Sequence, residues 1–354
     1  MKLEGFPQLA HFETPAMSEA WKYCLIPKLL PDVVRPSLSA PSSNAHIQIF
    51  GNELKIHSLP TGVSVDSTSA GLAADQWGEL SAASGQSGLR ISKDLTSPLV
   101  IEVHRQGDAT QATLGKLTLI VSANVSAQIL QRITGSDQGL TVLQTNLELE
   151  AGAKLDHAIS IKEGSESLLV AKFESLLKKD ATLTQTFLAQ GGRHQRLEVK
   201  ATLSEGGAHA DLSSLAKLKG TSHIDVHSSL VHTAPNTTAK QLAKNFLDGE
   251  SKAIFTGRVH IAKHAQQVAA EQMSRTLLLS KKAHAISQPQ LEIFADDVKC
   301  AHGSTTGQIG EEASFYLLSR GIRPERAQVL LAQAFIQEVL HKSAQSAALN
   351  QDVL

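Results

Sequence analysis

Two cysteines, Cys24 and Cys300, are all that 354 residues contain, and they lie far apart in the chain. That excludes a disulfide framework and favours reduced thiols. No C-x-x-C and no H-E-x-x-H occurs, so the chain carries no self-contained zinc or cluster motif, and no cofactor is expected to be held stably by this chain alone. Neither of the glycine-rich nucleotide loops is present, G-x-x-x-x-G-K-[ST] or G-x-G-x-x-G. Aromatic residues make up only 4%, few for a sugar-binding cleft. The net charge is −1 with no long block of one sign, which argues against a surface that grips nucleic-acid phosphates. No run reaches the roughly 18 apolar residues of a membrane span. The opening MKLEGFPQLAHFETP lacks the apolar core of a signal peptide, so a cytoplasmic chain is expected.

What is present is a chain of 37.8 kDa with 42% hydrophobic residues, ample for a large core. Three regions are expected. Residues 1–45 read as a small helical segment with Trp21, Tyr23, Leu25, Leu29 and Leu30 on its apolar face, ended by Pro31 and Pro36. Ser37 to Ser43 reads as a linker. Residues 46–305 are β-rich. HIQIFGNELKIHSL predicts two strands around Gly51-Asn52, and residues 66–90 read as loop with one helix turn at most. From Leu99 to Ser280 short strand-like segments follow one another, beginning LVIEVHR, KLTLIVSA, LTVLQTNLELE and LDHAISIK.

The spacing of these segments carries more than any one of them. Gly152-Ala153, Asp180-Ala181 and Gly207-Ala208 place alanines 28 and 27 residues apart, and Lys252-Ala253 and Lys282-Ala283 place them 30 apart. A repeat near 28 built of short strands and tight turns is the mark of a solenoid. A stacked β-helix fits best, although the pattern alone leaves a β-sandwich or jelly roll open.

Residues 306–354 read as helices. Arg323-Pro324-Glu325 starts one of them with proline in its first turn. Ala327, Leu330, Leu331, Ala334 and Phe335 form one apolar face, and Val329, Ile336 and Leu340 a second. A helix apolar on two sides must be covered on two sides. The second cover is either the chain's own domain or a partner.

The most informative stretch is PQLEIFADDVKCAHGSTTGQIGEEASFYLLSRGI, Pro289 to Ile322. Leu291, Ile293 and Ala295 alternate with Glu292, Phe294 and Asp296 as in a half-buried strand. Carried onward, this alternation puts Val298, Cys300 and His302 on the side of Phe294, before Gly303 to Gly307 break the strand. Glu311 and Glu312 then open a helix. At i, i+2 on a strand, Cys300 and His302 lie about 6 to 7 Å apart, close enough to share a metal. Taken alone, C-x-H is a weak motif, and a single buried cysteine is more often packing. His223, Asp225, His227 and His232 have the look of a metal cluster, but in a solenoid such residues stack as polar ladders, and that reading is preferred. Asp296 and Asp297 have no nucleophile to serve and read as strand-end residues.

This stretch resembles the C-terminal signature of the SufB/SufD family, subunits of the SUF iron–sulfur cluster assembly scaffold, and within it the SufD branch. Glu19-Ala20-Trp21-Lys22-Tyr23 is similar to the family's E-x-W-K-Y motif. His223-Ile224-Asp225-Val226-His227, with His232 and Pro235, is a third match. The resemblance implies a right-handed parallel β-helix between two helical segments. It implies a non-catalytic scaffold subunit that pairs with a SufB-like chain and binds a SufC-like ATPase. It implies that His302, and less firmly Cys300, belong to a metal site where a nascent iron–sulfur cluster forms at the SufB interface. Val329, Ile336 and Leu340 are then expected to support docking of the SufC-like partner. The SufB branch carries a cysteine where this chain has Ala283, so the SufD branch fits better. Two other readings stand beside this one: a β-helix enzyme acting on polysaccharide, and a purely structural homodimer, a state that is also open to the isolated chain.

Overall fold

The computed structural model describes residues 48–49, 52–56, 62–66, 86–105, 112–135 and 138–353. The helical segment expected over residues 1–45, with Cys24 and the E-x-W-K-Y match, lies outside them.

Strands alternate between two sheets. Ten form the first: Gln48–Ile49, Asn52–Ile56, Leu99–Arg105, Ser126–Gly135, Lys154–Glu163, Thr182–Gly191, His209–Leu218, Thr238–Leu247, Val268–Leu278 and Val298–Gly307. Nine form the second: Val63–Asp66, Gln86–Ile91, Ala112–Val121, Gln138–Leu149, Glu166–Leu177, His194–Leu203, His223–His232, Lys252–Ile261 and His284–Ile293. Beyond the first few strands every ladder is parallel. Lys154 pairs with Thr182 and Thr182 with His209, offsets of 28 and 27. The chain is therefore a parallel β-solenoid, and the antiparallel sandwich left open by the pattern is excluded.

The repeat seen in the sequence is turn chemistry. Asn124, Gly152, Asp180, Gly207, Asn236 and Gln267 stack in one column with φ between 56° and 78°. That left-handed region is natural to glycine and tolerated by asparagine and aspartate. The next residue in each turn points inward and is buried: Val125, Ala153, Ala181, Ala208, Thr237 and Val268. A small side chain there lets the two sheets meet at the edge.

Between the sheets lies one continuous core, with Phe173 and Phe187 edge to face at 4.9 Å. Polar residues enter it as hydrogen-bonded pairs. His157 Nε2 lies 3.1 Å from Gln131 Oε1, and Gln185 Nε2 lies 3.1 Å from His157 Nδ1.

Three helices follow: α1 (Glu311–Ser319), α2 (Pro324–Leu340) and α3 (Ser346–Val353). The last two strap back over the outer face of the ten-stranded sheet. Ile336, Val339, Leu340, Leu349 and Val353 pack on Leu130, Ala158, Leu188 and Leu215. Polar ties reinforce the strap: Ser343 Oγ and the Ala344 amide donate to Asp156, and Lys217 Nζ donates to the Val353 carbonyl. Lys244 Nζ sits 4.2 Å from the Phe335 ring centroid and donates to the Phe335 carbonyl. By contrast, α1 buries none of its residues.

Several expectations need correction. Gln86–Ile91 is a strand, not loop, and pairs in parallel with Ala112–Val121. The strand through Leu291 and Ile293 ends at Ile293. A separate strand, Val298–Gly307, begins in the other sheet and runs through the glycines expected to break it.

Candidate functional site

The solenoid ends in a rung that nothing among the described residues caps. His284–Ile293 pairs only with Lys252–Ile261, and Val298–Gly307 only with Val268–Leu278. Asp296 and Asp297 make the corner between them, as strand-end residues. The Asp297 carbonyl accepts from the Gln267 amide at 2.6 Å, and its own amide donates to Gln266 Oε1 at 2.8 Å.

Register places the sequence-predicted residues within this rung. Cys300 lies beside Ala270 and His302 beside Gln272, and both of those neighbours are buried inside the tube. Cys300 and His302 thus hold interior-facing positions on a rung with no further rung above it among the described residues. Cys300 is half-buried and packs on the core, while His302 is exposed. Burial pushes the Cys300 thiol above its ordinary range, which keeps it protonated near neutrality. Beneath His302 the interior turns polar. Gln272 Nε2 donates to Gln241 Oε1 at 2.8 Å, and Gln272 Oε1 is buried with no donor among the described residues. The Gln272 amide reaches across to the facing strand at Gly257, where an added Cβ would clash with Gln272 Nε2. Ala283 is buried at the turn into His284–Ile293, so no thiol stands there.

The other candidates divide. Among the described residues no group of three potential ligands is placed to hold a metal. His223 stacks on His194 with ring centroids 4.1 Å apart. Asp225 is fully buried between Arg196, at 2.6 Å, and His227, at 3.1 Å. His232 Nδ1 lies 2.8 Å from Thr237 Oγ1 on the interior side. These residues thus contact one another and neighbouring strands and do not converge on one point. Ile336 and Leu340, expected in a partner surface, are covered by the chain's own sheet, so of that trio only Val329 remains exposed.

Sequence reasoning missed the distribution of exposed apolar side chains. Among the described residues, all the large ones fall in two places. Leu279, Ile286, Ile293 and Phe294 lie at or beside the terminal rung, and Phe315, Tyr316, Leu318 and Val329 lie on α1 and the start of α2. Phe294, 61% exposed, leans on the His260 ring at 5.5 Å. It also missed a column of basic residues, His194, His223, Lys252 and His284, that opens successive strands of the nine-stranded sheet. The signal was present as basic residues recurring about 30 apart, but it becomes visible only once the register is known.

No helix among the described residues is long and apolar enough to cross a membrane. Residues 104–335 match the family model described as SUF system FeS cluster assembly, SufBD core domain. The chain is 33% identical over 208 residues to the iron-sulfur cluster assembly protein SufD of Escherichia coli, which covers 59% of this chain and 49% of that one. It is 31% identical over 196 residues to an iron-sulfur cluster assembly SufBD family protein of Synechocystis, covering 55% and 43%. It is 28% identical over 231 residues to the chloroplastic protein ABCI7 of Arabidopsis thaliana, covering 64% and 49%. The chain spans about half the length of these curated relatives. The family model covers well over half of this chain, along the very rungs that end at Cys300 and His302, and the chain therefore belongs to the SufBD core family of the SUF iron–sulfur cluster assembly system.

Proposed function

We propose that this chain is a non-catalytic scaffold subunit of cytoplasmic iron–sulfur cluster assembly, with two docking surfaces. A SufB-like chain closes the terminal rung, and a SufC-like ATPase docks on the helical hairpin of α1 and α2. One observation carries the reading: the large exposed apolar side chains among the described residues gather at these two places. Apolar patches of this kind mark interaction sites when the rest of a surface is polar. The rung also offers two strand edges that no described strand pairs with, and such edges invite pairing with another chain. Val329 stays in the proposed SufC-like surface together with Phe315, Tyr316 and Leu318.

At the closed rung, His302 contributes an imidazole to iron being assembled, with Cys300 in a lesser role. A neutral imidazole suits iron as a borderline ligand. The thiolate that would accept sulfur comes from the SufB-like partner, because this chain has Ala283 at that position. ATP hydrolysis belongs to the SufC-like partner, since this sequence has no nucleotide loop.

His302→Ala tests the assignment in a strain that depends on the SUF system, with complex formation checked in parallel. The side chain is exposed on an uncapped rung, so the variant is expected to fold and still pair with its partner while growth is lost. Full growth would remove His302 from the mechanism.

A further inference from the structure

Solenoid stacking turns a sequence period into a column. At one corner of the nine-stranded sheet that column is basic. His223 is in register with Lys252, and Lys252 with His284. His194 stacks under His223 with ring centroids 4.1 Å apart. The turns leading into these strands add Arg193, Lys281 and Lys282. Together with Thr221 and Glu250 they line an open cleft of about 780 Å³.

The charges in this cleft are not balanced by the fold. Glu250, its one acidic residue among those described, is taken by Lys282 at 2.6 Å. Among the described residues the carboxylate near Arg193 is Glu166, at 4.0 Å. Lys252 and Lys281 have no carboxylate within ion-pair distance among the described residues. Like charges on adjacent rungs repel. Lys252 adds to the burial that depresses His223, while Asp225, on the same strand, opposes it. His223, 7% exposed, lines the cleft, and its buried Nε2 has no hydrogen-bond partner among the described residues. A buried imidazole nitrogen left without a partner costs stability unless a ligand supplies one.

We propose that this cleft binds the phosphate group of a phosphorylated small molecule. Lys252 and Lys281 neutralise its charge, and His223 Nε2 donates to one of its oxygens. A phosphate, rather than a single carboxylate, matches cations approaching from two successive turns, because it carries up to two charges and several acceptor oxygens. The volume lies in the range of small-molecule sites and exceeds what a bare phosphate would fill. The cleft lies apart from Cys300 and His302, on the other sheet, and the proposal does not depend on their role.

The test uses inorganic pyrophosphate titrated into the full chain at constant ionic strength. Calorimetry gives the affinity, and the histidine side-chain resonances report the site. Saturable binding is expected, with the His223 ring shifting toward protonation as the anion arrives. Lys252→Gln and Lys281→Gln should each weaken binding about tenfold or more. Lys281 lies in a turn, so its variant is expected to keep the wild-type melting temperature and report binding alone. Absence of saturable binding at millimolar pyrophosphate would overturn the proposal, as would unchanged affinity in both variants. Binding of a single-stranded oligonucleotide without binding of pyrophosphate would overturn it in favour of an extended polyanion.

Discussion

Cys300 and His302 show how much the meaning of a residue depends on the rung it occupies. One rung lower, the same interior positions are Ala270 and Gln272, both buried, and there a cysteine or histidine would be a packing element. On the last described rung no further strand covers these positions among the described residues. For Cys300 this has a chemical consequence. The thiolate is the reactive form, and burial disfavours it. Alkylation of Cys300 by iodoacetamide, followed by mass spectrometry of its tryptic peptide, is expected to reach half its maximal rate at a higher pH than a fully exposed thiol. A profile at or below that of a free thiol would show that the site activates Cys300, and would give it a larger part beside His302.

At the scale of elements, the tail helices decide what counts as inside. In Ser126–Gly135, Leu130 faces outward and Gln131 faces the core, the reverse of the usual pattern. Leu130 is buried by the helical strap, and Gln131 is satisfied by His157. This inversion is why AQILQRI does not read as a strand on period-2 grounds. The same strap accounts for the second apolar face of α2. Ile336 and Leu340 are buried on the chain's own sheet. Ile336→Glu would place an unpaired charge there, at a cost of about 2 to 4 kcal/mol. Denaturant unfolding should show that loss, and limited proteolysis should cut the tail first. An unchanged midpoint and an intact tail would mean that the strap is not held by this contact.

For the whole molecule, buried histidines set the response to acid. Burial holds His157 and His194 at about 3 and His223 and His232 at about 4, below their ordinary value of 6.5. Between those values and 6.5 the unfolded chain binds more protons than the folded one. The stability these groups contribute is therefore present above pH 6.5 and lost as pH falls below it, with each histidine contributing at most about 1.4 kcal/mol per pH unit. Glu163 and Asp156, raised chiefly by burial, act in the opposite sense, since the folded chain holds their protons more tightly. Four histidines against two carboxylates predict a melting temperature that falls between pH 7.5 and 5. His157→Gln should make that fall shallower when calorimetric scans are compared across the range. An identical slope in the variant would exclude His157 as a source of the acid sensitivity.

The sequence by itself pointed to the solenoid, because left-handed turns and the small inward residues after them recur with the rung and leave a period near 28, while the parallel register excluded the sandwich that this period left open. It also carried the family resemblance, because the stretch from Pro289 to Ile322 is long and distinctive. Tertiary structure alone decided which side of each strand is inside, since the strap of α2 and α3 buries an outer face that would otherwise be wet. It decided that Ile293 and Val298 belong to different sheets, because the corner at Asp296 and Asp297 turns the chain. And it decided which distant residues become neighbours. His194, His223, Lys252 and His284 are separated by about 30 residues of chain, and only parallel register brings them to one corner.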